Sequence, residues 1–339
     1  MFPSRVLVTG AGGFIGSHLA ADQSHRGREV VALDLDLGRV AHLERAGRFD
    51  IVAGDFMDPA VIRHALAGVD TVFHLAAIHL GSRASEAEHR WVNAEGVEKL
   101  VRTAEAAGVR RFVHCSSVGV HGRVEDPPAD EDSPCRPEGA YETTKLAGEE
   151  IVRAAIRERG FPAVILRPAW VYGPGCPRTE RLFRAVRKRR FPLAGRGDAL
   201  RHCVYIRDML DAFDRAAETR DAVGEVIIVG DESPVTVRTL IDEIAELVGS
   251  PPPRSIPLPV LRLAAGVCEL AFRPLGKEPP VSRRSIKFYT NNTAFDISKA
   301  RRLLGWNPRY DLRAGLAETW AYLSGSDPWQ VPLPRAATV

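Results

Sequence analysis

A glycine-rich turn between an apolar strand-like run and a helical pattern is the feature that most constrains the fold of this chain. Residues 5–9 lead directly into Gly10-Ala11-Gly12-Gly13-Phe14-Ile15-Gly16, after which a helical pattern continues. Gly10 and Gly13 let the backbone turn tightly and approach a pyrophosphate, and Gly16 lets the helix pack closely on the strand. Unpaired N–H groups at the helix N-terminus would face the phosphates. The sequence therefore predicts a dinucleotide-binding turn near the N-terminus.

An acidic residue at the end of the next strand indicates which dinucleotide binds. The apolar run 29–33 ends at Asp34, eighteen residues beyond Gly16. A carboxylate there can accept hydrogen bonds from the ribose hydroxyls of NAD, and it would repel the additional phosphate of NADP. Arg39 is close enough in sequence to weaken that repulsion. We therefore expect NAD, with NADP as the less favoured cofactor.

Strand-like and helix-like segments alternate along the chain from this point. Further strands are predicted at 50–53, 70–75, 111–116 and 163–167, with helices from about Pro59, from about Ser85 to Ala107, and around Tyr141. Repeated βαβ units of this kind form a parallel sheet with helices on both faces. The predicted fold class is α/β, a Rossmann-type doubly wound parallel sheet with a smaller C-terminal substrate-binding domain. Ligands of such sheets bind at the carboxyl ends of the strands.

A tyrosine and a lysine four residues apart, Tyr141 and Lys145, form a candidate proton-transfer pair. Residues at this spacing share one face of a helix. A phenol has a pKa near 10, and lowering it by about three units through an adjacent cation is a differential interaction of about 4 kcal/mol. With that shift, Tyr141 would act as a base near neutral pH. Because the spacing alone can arise by chance, its significance depends on the surrounding motifs.

Composition narrows the classes of function. Hydrophobic residues make up 45% of the 339 residues, which is ample for a core, and a net charge of only +3 gives no argument for a nucleic-acid partner. The five cysteines lack paired metal spacing, and their odd number fits a reduced cytoplasm better than a disulfide framework. No apolar run reaches the roughly eighteen residues of a membrane span. We expect a cytoplasmic protein that binds a small molecule, without a metal site.

Several motifs in a consistent order resemble those of the extended short-chain dehydrogenase/reductases, which include the NAD-dependent epimerases and dehydratases. Besides the glycine turn and the Tyr141–Lys145 pair, the motifs are Gly54-Asp55-Phe56-Met57-Asp58, His74-Leu75-Ala76-Ala77, Val92-Asn93-Ala94-Glu95-Gly96, Ser116-Ser117 and Leu166-Arg167-Pro168-Ala169-Trp170-Val171-Tyr172-Gly173-Pro174-Gly175. The resemblance covers nearly the whole chain. It implies NAD-dependent hydride transfer to or from a secondary alcohol or ketone, and a homodimer formed through helices.

The resemblance also implies roles for individual residues. Asp55 would contact the adenine, and Ser117, Tyr141 and Lys145 would form the catalytic set, with Lys145 also bonding the nicotinamide ribose. Ser117 has a simpler alternative, a strand-end serine that satisfies the local backbone. The expected cofactor-binding residues are Gly10, Gly13, Phe14, Ile15, Gly16, Asp34, Asp55, Phe56, Leu75, Ala76, Ala77, Asn93, Ser116, Tyr141, Lys145 and Pro168.

The two positions after Ser117 bear on the type of reaction. Family members that eliminate water from a nucleotide sugar usually carry an acid pair there, and decarboxylating members carry a glutamate at the second position. Val118 and Gly119 occupy these positions in this chain, and neither can exchange a proton. Simple dehydrogenation and epimerisation therefore remain. His121 stands where the family more often has tyrosine, and we interpret it as a loop histidine without a proton-transfer role.

The C-terminal part is expected to cover the cleft and select the substrate, and residues 296–306 resemble the family's closing motif. The apolar segment 258–272 is reminiscent of the hydroxysteroid dehydrogenase branch. It predicts a core-facing or dimer-facing helix, with the lining of a site for a greasy substrate or a shallow membrane contact as alternatives. Basic residues at 178–190 favour a solvated helix face over a grip on phosphates.

Three residues are candidates for substrate binding: His79, Ser117 and Arg201. Arg201 lies where sugar-nucleotide relatives often have a phosphate-binding arginine. The favoured reaction is oxidation or reduction of a hydroxysteroid-like or lipid substrate, and nucleotide-sugar 4-epimerisation is the alternative. A third interpretation, a non-catalytic NAD(P)-sensing protein, is disfavoured because such relatives typically lose the Tyr and Lys pair.

The predicted domain boundaries follow from these assignments. Residues 1–170 and 202–230 are expected to form the NAD-binding domain, and residues 171–201 and 231–325 the substrate-binding domain. Residues 326–339 are expected to form a C-terminal tail.

Overall fold

The computed structural model describes residues 4–41, 49–79, 84–272 and 283–326. Its main sheet contains β1 (Arg5–Thr9), β2 (Glu29–Asp34), β3 (Phe49–Ala53), β4 (Thr71–His74), β5 (Arg111–Cys115), β6 (Ala163–Pro168) and β11 (Val226–Val229). These seven strands lie in the order β3-β2-β1-β4-β5-β6-β11. Every neighbouring pair is parallel, so all seven carboxyl ends meet at one edge.

Helices cover both faces of this sheet because successive strand residues are apolar on both sides. Val6 and Val8 of β1 belong to the core beneath α1 (Phe14–His25) and α7 (Ile206–Glu218). Leu7, between them, belongs to the opposite core. That core also contains side chains of α2 (Pro59–Ala65), α4 (Gly96–Ala106) and α5 (Ala140–Arg159). The predicted α/β class with a Rossmann-type, doubly wound parallel sheet is confirmed.

The single helix expected from Ser85 to Ala107 differs in the structure. A short helix α3 (Glu86–Arg90) begins at Ser85, whose backbone and side chain pair reciprocally with Glu88 in a capping box. A π-helical turn (Trp91–Glu95) then separates α3 from α4. Such turns insert an extra residue into a helix and occur frequently at functional sites. Sequence periodicity does not reveal this insertion.

The remaining elements form a smaller C-terminal layer. Two-residue or three-residue strands pair as β7 (Trp170–Tyr172) with β10 (Cys203–Tyr205), β9 (Leu200–Arg201) with β12 (Val235–Thr236), and β8 (Leu193–Ala194) with β13 (Ser255–Ile256). The helices are α6 (Pro177–Arg187), α8 (Val237–Leu247), α9 (Leu258–Phe272), α10 (Arg283–Thr290), α11 (Ser298–Leu304) and α12 (Leu312–Ser324). Elsewhere in the chain, 3₁₀ turns follow β5 at Val118–His121 and precede β11 at Arg220–Ala222. Of the predicted tail, only Ser326 lies within the described residues.

The segment that resembles the family's closing motif is fastened to α7 by one aspartate. The Asp208 carboxylate accepts hydrogen bonds from the N–H groups of Arg309 and Tyr310, both at 3.0 Å. The fully buried Trp306 donates its indole N–H to the Asp208 carbonyl oxygen at 3.0 Å. Burial of this indole with its donor satisfied holds the C-terminal layer on the sheet.

Gly148 permits the closest approach between α5 and the π-helical turn. A Cβ at this position would lie 2.2 Å from the carbonyl oxygen of Asn93. We expect Gly148→Ala to lower the free energy of unfolding by about 1–3 kcal/mol, because the two helices would have to separate. Urea denaturation measures this loss.

Gly266→Ala in α9 is the matched control, since nothing lies within 4 Å of a Cβ at that position. Alanine's higher helix propensity should there raise the free energy of unfolding by about 0.5–1 kcal/mol. Equal destabilisation of the two variants would contradict the packing explanation.

Candidate active site

The glycine turn forms a backbone cradle that larger residues would fill. Gly10 has a left-handed φ of 75°, and a Cβ there would lie 2.7 Å from the backbone nitrogen of Ala76. At Gly16 a Cβ would lie 2.0 Å from the carbonyl oxygen of Gly10. The helix α1 begins at Phe14, immediately after this turn. Its first N–H groups, together with the open backbone, fit the pyrophosphate of a dinucleotide.

Asp34 stands beside this cradle at the carboxyl end of β2. Its carboxylate accepts hydrogen bonds from the N–H groups of Gly12 at 2.9 Å and Leu35 at 2.7 Å. Arg39 instead donates to the carbonyl oxygen of Gly175 at 3.1 Å. A third backbone donor, the Asp36 N–H, lies 3.3 Å away, so the carboxylate is fixed beside the cradle while the nearby guanidinium is engaged elsewhere.

Asn93 shapes the loop that follows β4. Its amide nitrogen donates to the carbonyl oxygen of Ile78 and to Thr144 Oγ1, both at 3.1 Å, and its amide oxygen accepts from the Ile78 N–H at 2.8 Å. Both amide donors are thus used within the protein. The π-helical turn places Asn93 here, where it fixes Ile78, the residue directly after the predicted cofactor contacts Leu75 to Ala77.

Two further predicted residues lie at neighbouring strand ends. Asp55 follows β3 and accepts a hydrogen bond from the Met57 N–H at 2.8 Å. The buried ring of Phe56 packs against the His74 ring with centroids 5.3 Å apart. His79 is exposed at the end of the loop after β4.

Lys145 is buried beneath the carboxyl end of β5. Its ammonium donates to the Cys115 carbonyl oxygen at 2.6 Å. Burial lowers the pKa of Lys145, although the neighbouring Cys115 and Glu149 oppose this shift. An ammonium has three donors, so this bond fixes the side chain and leaves two N–H groups for other acceptors.

The protein's own groups raise the pKa of Tyr141 above that of an ordinary phenol. Burial is the largest cause, Cys115 and Glu142 add to it, and a hydrogen bond with Ser117 opposes it. The expectation that Lys145 would lower this pKa is therefore wrong for the chain by itself. The physical reason is that desolvation of the phenolate outweighs a cation already bonded to a carbonyl oxygen.

The Ser117 hydroxyl contacts both the local backbone and the Tyr141 phenol. Its hydroxyl oxygen accepts a hydrogen bond from the Gly119 N–H at 3.0 Å and so caps the 3₁₀ turn that begins at Val118. The same hydroxyl is hydrogen-bonded to Tyr141. The local backbone contact therefore orients Ser117 beside the phenol.

A buried ion pair that sequence reasoning missed lies directly behind these residues. Glu149 and Arg167 are both fully buried, and their side chains form two bonds of 2.6 and 3.0 Å. Ser116 donates its hydroxyl hydrogen to Glu149 at 2.8 Å, so this predicted cofactor contact is used internally. The signal for Glu149 was its position four residues after Lys145, on the same face of α5 as Tyr141 and Lys145.

The ion pair also explains His121. Arg167 Nη1 lies 3.0 Å from His121 Nε2. Burial, followed by the charge of Arg167, lowers the pKa of His121 to about 4. A histidine that is neutral throughout the physiological range agrees with its interpretation as a residue without a proton-transfer role.

Glu142 is the second residue that sequence reasoning missed. Its side chain folds over two glycines: a Cβ at Gly139 would lie 2.5 Å from Glu142 Oε2, and a Cβ at Gly119 would lie 3.2 Å from Glu142 Cγ. The absence of side chains at Gly119 and Gly139 therefore makes room for a carboxylate near Tyr141. Its charge favours the protonated phenol.

Arg201 is buried and uses its guanidinium within the C-terminal layer. It donates to the carbonyl oxygens of Asn291 at 2.6 Å and Lys287 at 3.1 Å, and also to that of Phe288. Burial, followed by the charge of Arg178, lowers the pKa of Arg201 to about 10. In this arrangement the guanidinium fastens the C-terminal end of α10.

Aromatic rings separate Arg201 from the basic helix α6. Trp170 lies against Phe288, with centroids 6.3 Å apart, and the Arg178 guanidinium lies 4.4 Å from the Trp170 ring centre. The arginines of α6 are exposed, whereas Phe183 and Val186 pack inward. This matches the solvated helix face expected from the spacing.

The geometry defines a Rossmann-type site for a dinucleotide-dependent enzyme of alcohols and ketones. A sequence profile of the NAD dependent epimerase/dehydratase family matches residues 6–230. The chain therefore belongs to this family, and the predicted family is confirmed. The family's description names NAD, in agreement with the expectation drawn from Asp34.

The chain is similar to relatives with different described activities. It is 30% identical to a 3-beta-hydroxysteroid dehydrogenase of Mycolicibacterium neoaurum, over 94% of this chain and 91% of the relative. It is 34% identical to a UDP-glucose 4-epimerase of Mycolicibacterium smegmatis, over 93% of this chain and 97% of the relative. A crystal structure of UDP-glucuronic acid 4-epimerase from Bacillus cereus in complex with NAD superposes with a TM-score of 0.78, at 25% identity, covering 95% and 99% of the two chains.

No helix in the described part of the chain is both long and apolar enough to cross a membrane.

Removal of one partner from the buried Glu149–Arg167 pair should destabilise the protein strongly. We expect Glu149→Gln to lower the free energy of unfolding by about 3–5 kcal/mol, because it leaves the Arg167 charge buried without a counter-charge. Glu98→Gln is the control, since the Glu98–Arg102 pair on α4 is exposed and should contribute less than about 1 kcal/mol. Chemical denaturation compares the two, and a Glu149→Gln loss no larger than the control's would refute this role.

Proposed function

We propose that this protein is an NAD-dependent oxidoreductase that interconverts a secondary alcohol and a ketone on a hydrophobic, hydroxysteroid-like or lipid substrate. The observation that carries the substrate class is the engagement of Arg201 with backbone carbonyl oxygens of α10. A diphosphate-binding role would require Arg201 to break these bonds. The similarity to a 3-beta-hydroxysteroid dehydrogenase supports the same class.

The cofactor fits the cleft along the carboxyl ends of β1 to β5. We infer that the cradle at Gly10 and Gly13 holds the pyrophosphate, Asp34 bonds the ribose diol and Asp55 contacts the adenine. The two remaining N–H groups of Lys145 would bond the nicotinamide ribose.

Tyr141 performs the proton transfer in this proposal. When bound, the oxidised nicotinamide supplies the hydride acceptor. In its phenolate form Tyr141 accepts the alcohol proton as the carbinol hydrogen leaves as hydride, Ser117 orients the substrate oxygen through its hydroxyl, and Lys145 stabilises the phenolate before it is protonated. In the reverse direction Tyr141 is already in the required protonated form, because burial and Glu142 favour the neutral phenol.

Epimerisation of a nucleotide sugar is the alternative, and it is favoured by the 34% identity to a UDP-glucose 4-epimerase. Purified protein should be mixed with NAD and, separately, with steroid alcohols and with UDP-hexoses and TDP-hexoses. Stoichiometric NADH from the steroid alcohols, read by absorbance, is the expected result. Inversion of a hexose at C4 without accumulation of NADH would refute the proposed net oxidation and support the epimerase alternative.

The same proposal includes a homodimer in the cytoplasm. Trp91 is 47% exposed at the π-helical turn, and the Lys99 ammonium lies 4.0 Å from its ring centre, which gives this helix face a surface suited to a partner. All five cysteines are unpaired thiols, as a reducing compartment requires. Light scattering on a sizing column would detect the dimer, and a monomer at working concentration would reject it.

Tyr141→Phe should lower kcat by about 10²- to 10⁴-fold, because it removes the positioned proton acceptor. Tyr322→Phe, in α12, removes a phenol outside the cleft and should leave kcat unchanged. Steady-state rates with both variants test the assignment, provided that circular dichroism shows both to be folded. A Tyr141→Phe enzyme with the native rate would eliminate Tyr141 as the acid/base.

The raised pKa of Tyr141 predicts how oxidation depends on pH. The phenolate is the minor form below that pKa, so its population, and with it kcat/KM for alcohol oxidation, should rise up to about tenfold per pH unit from neutral to alkaline pH. Ketone reduction uses the phenol and should not rise. Initial rates in both directions measure this, and parallel profiles would contradict it.

A further inference from the structure

The helix α9 presents an apolar stripe to the surface. Val260, Leu263, Val267 and Leu270 are 54%, 72%, 60% and 73% exposed. Their spacing of three, four and three residues places them on one face of a helix about 22 Å long. Large aliphatic side chains are seldom exposed together in this way unless the surface binds something.

The opposite face of α9 is already packed, so the stripe cannot turn inward. Leu261 and Ala265 are buried in a small core with Ala194 and Ile286. That core joins α9 to β8 and α10. One face of α9 therefore packs against the protein, and the opposite face is exposed at the surface.

The net charge of the segment that contains α9 indicates what kind of partner the apolar stripe binds. Between Arg254 and Lys287 the sequence has seven Lys and Arg residues and two Glu residues, a net charge of +5. Because the whole chain carries only +3, the rest of the molecule is net negative. The positive charge is therefore concentrated in the sequence segment that contains the apolar stripe, and Arg254, Arg262 and Lys287 of this segment are exposed.

We propose that α9 docks on an anionic lipid bilayer, with Val260, Leu263, Val267 and Leu270 inserted among the acyl chains at the interface. An apolar helix face flanked by basic residues is the pattern that binds such a surface. A second copy of this chain is disfavoured, because docking stripe to stripe would bring two regions of net charge +5 together. This surface is separate from the catalytic residues, and the proposal holds whichever substrate class is correct.

The docked helix is connected to the cleft through α10. Helix α10, which shares the small core with α9, is bonded to Arg201 and forms the ion pair Lys287–Glu138 at 2.6 Å. Glu138 is three residues before Tyr141. A protein docked through α9 would hold its cleft close to the bilayer surface.

Co-sedimentation of the full-length protein with lipid vesicles tests the proposal. Vesicles of phosphatidylcholine and phosphatidylglycerol in equal parts should bind the protein, and phosphatidylcholine alone should bind it much more weakly. Leu263→Glu should weaken binding to the anionic vesicles by about tenfold or more, because a charge would replace a leucine that inserts among the acyl chains. Val223→Glu is the matched control, since Val223 is an exposed apolar residue outside α9 and should leave binding unchanged.

Four outcomes would overturn the proposal. They are no binding to anionic vesicles, equal binding to both kinds of vesicle, native binding by a folded Leu263→Glu variant, and equal loss in the Val223→Glu control. Light scattering distinguishes the competing occupant, because a stripe that forms a protein dimer would give a monomeric Leu263→Glu variant. Thermal unfolding of both variants shows whether any loss of binding reflects misfolding. Activity on a water-soluble alcohol is a separate readout, so failure here and failure of the proposed reaction are distinguishable.

Discussion

The buried ion pair between Glu149 and Arg167 is the interaction on which the arrangement of the site depends. It joins α5 to β6 in the interior, and Ser116 adds the end of β5 to the same carboxylate. Because Tyr141 and Lys145 lie on α5 while Ser117 follows β5, one charged contact fixes the three residues of the proposed catalytic set relative to one another. Burying two charges costs a large desolvation free energy, so such a pair adds little to the net free energy of folding. We infer that its value here is geometric, since its bonds require one register of helix and strand.

The electrostatics around Tyr141 favour the phenol, and this shapes the proposed chemistry. Lys145 is tied to the Cys115 carbonyl oxygen, and Glu142 contributes a negative charge nearby. Any cation that is to lower the pKa of Tyr141 must therefore overcome both the burial of the phenol and the negative charge of Glu142. In the protein itself Tyr141 is prepared to donate a proton, whereas acceptance of a proton depends on the positive charge of the oxidised nicotinamide.

The parts of the site that follow from local backbone rules could be predicted from the sequence. The glycine turn, Asp34 and the strand ends depend on short segments whose conformation the residues themselves dictate. The π-helical turn at Asn93 and the hydrogen bonds from Arg201 to α10 could not be predicted, because both arise from contacts between distant segments. Glu149 is intermediate: its position on the face of α5 is visible in the sequence, but its partner on β6 is not.

Arg201 and α9 together suggest how this fold changes its substrate class. An arginine in the cleft can bind a phosphate only while its donors are available, and here carbonyl oxygens of α10 occupy them. Fastening α10 in this way also fixes the small core that carries α9 and its exposed stripe. The hydrogen bonds that engage Arg201 thus also support the exposed apolar surface of α9. A chain with this arrangement is suited to a substrate that partitions into lipid, because the cleft arginine is engaged by carbonyl oxygens and the apolar stripe of α9 faces outward.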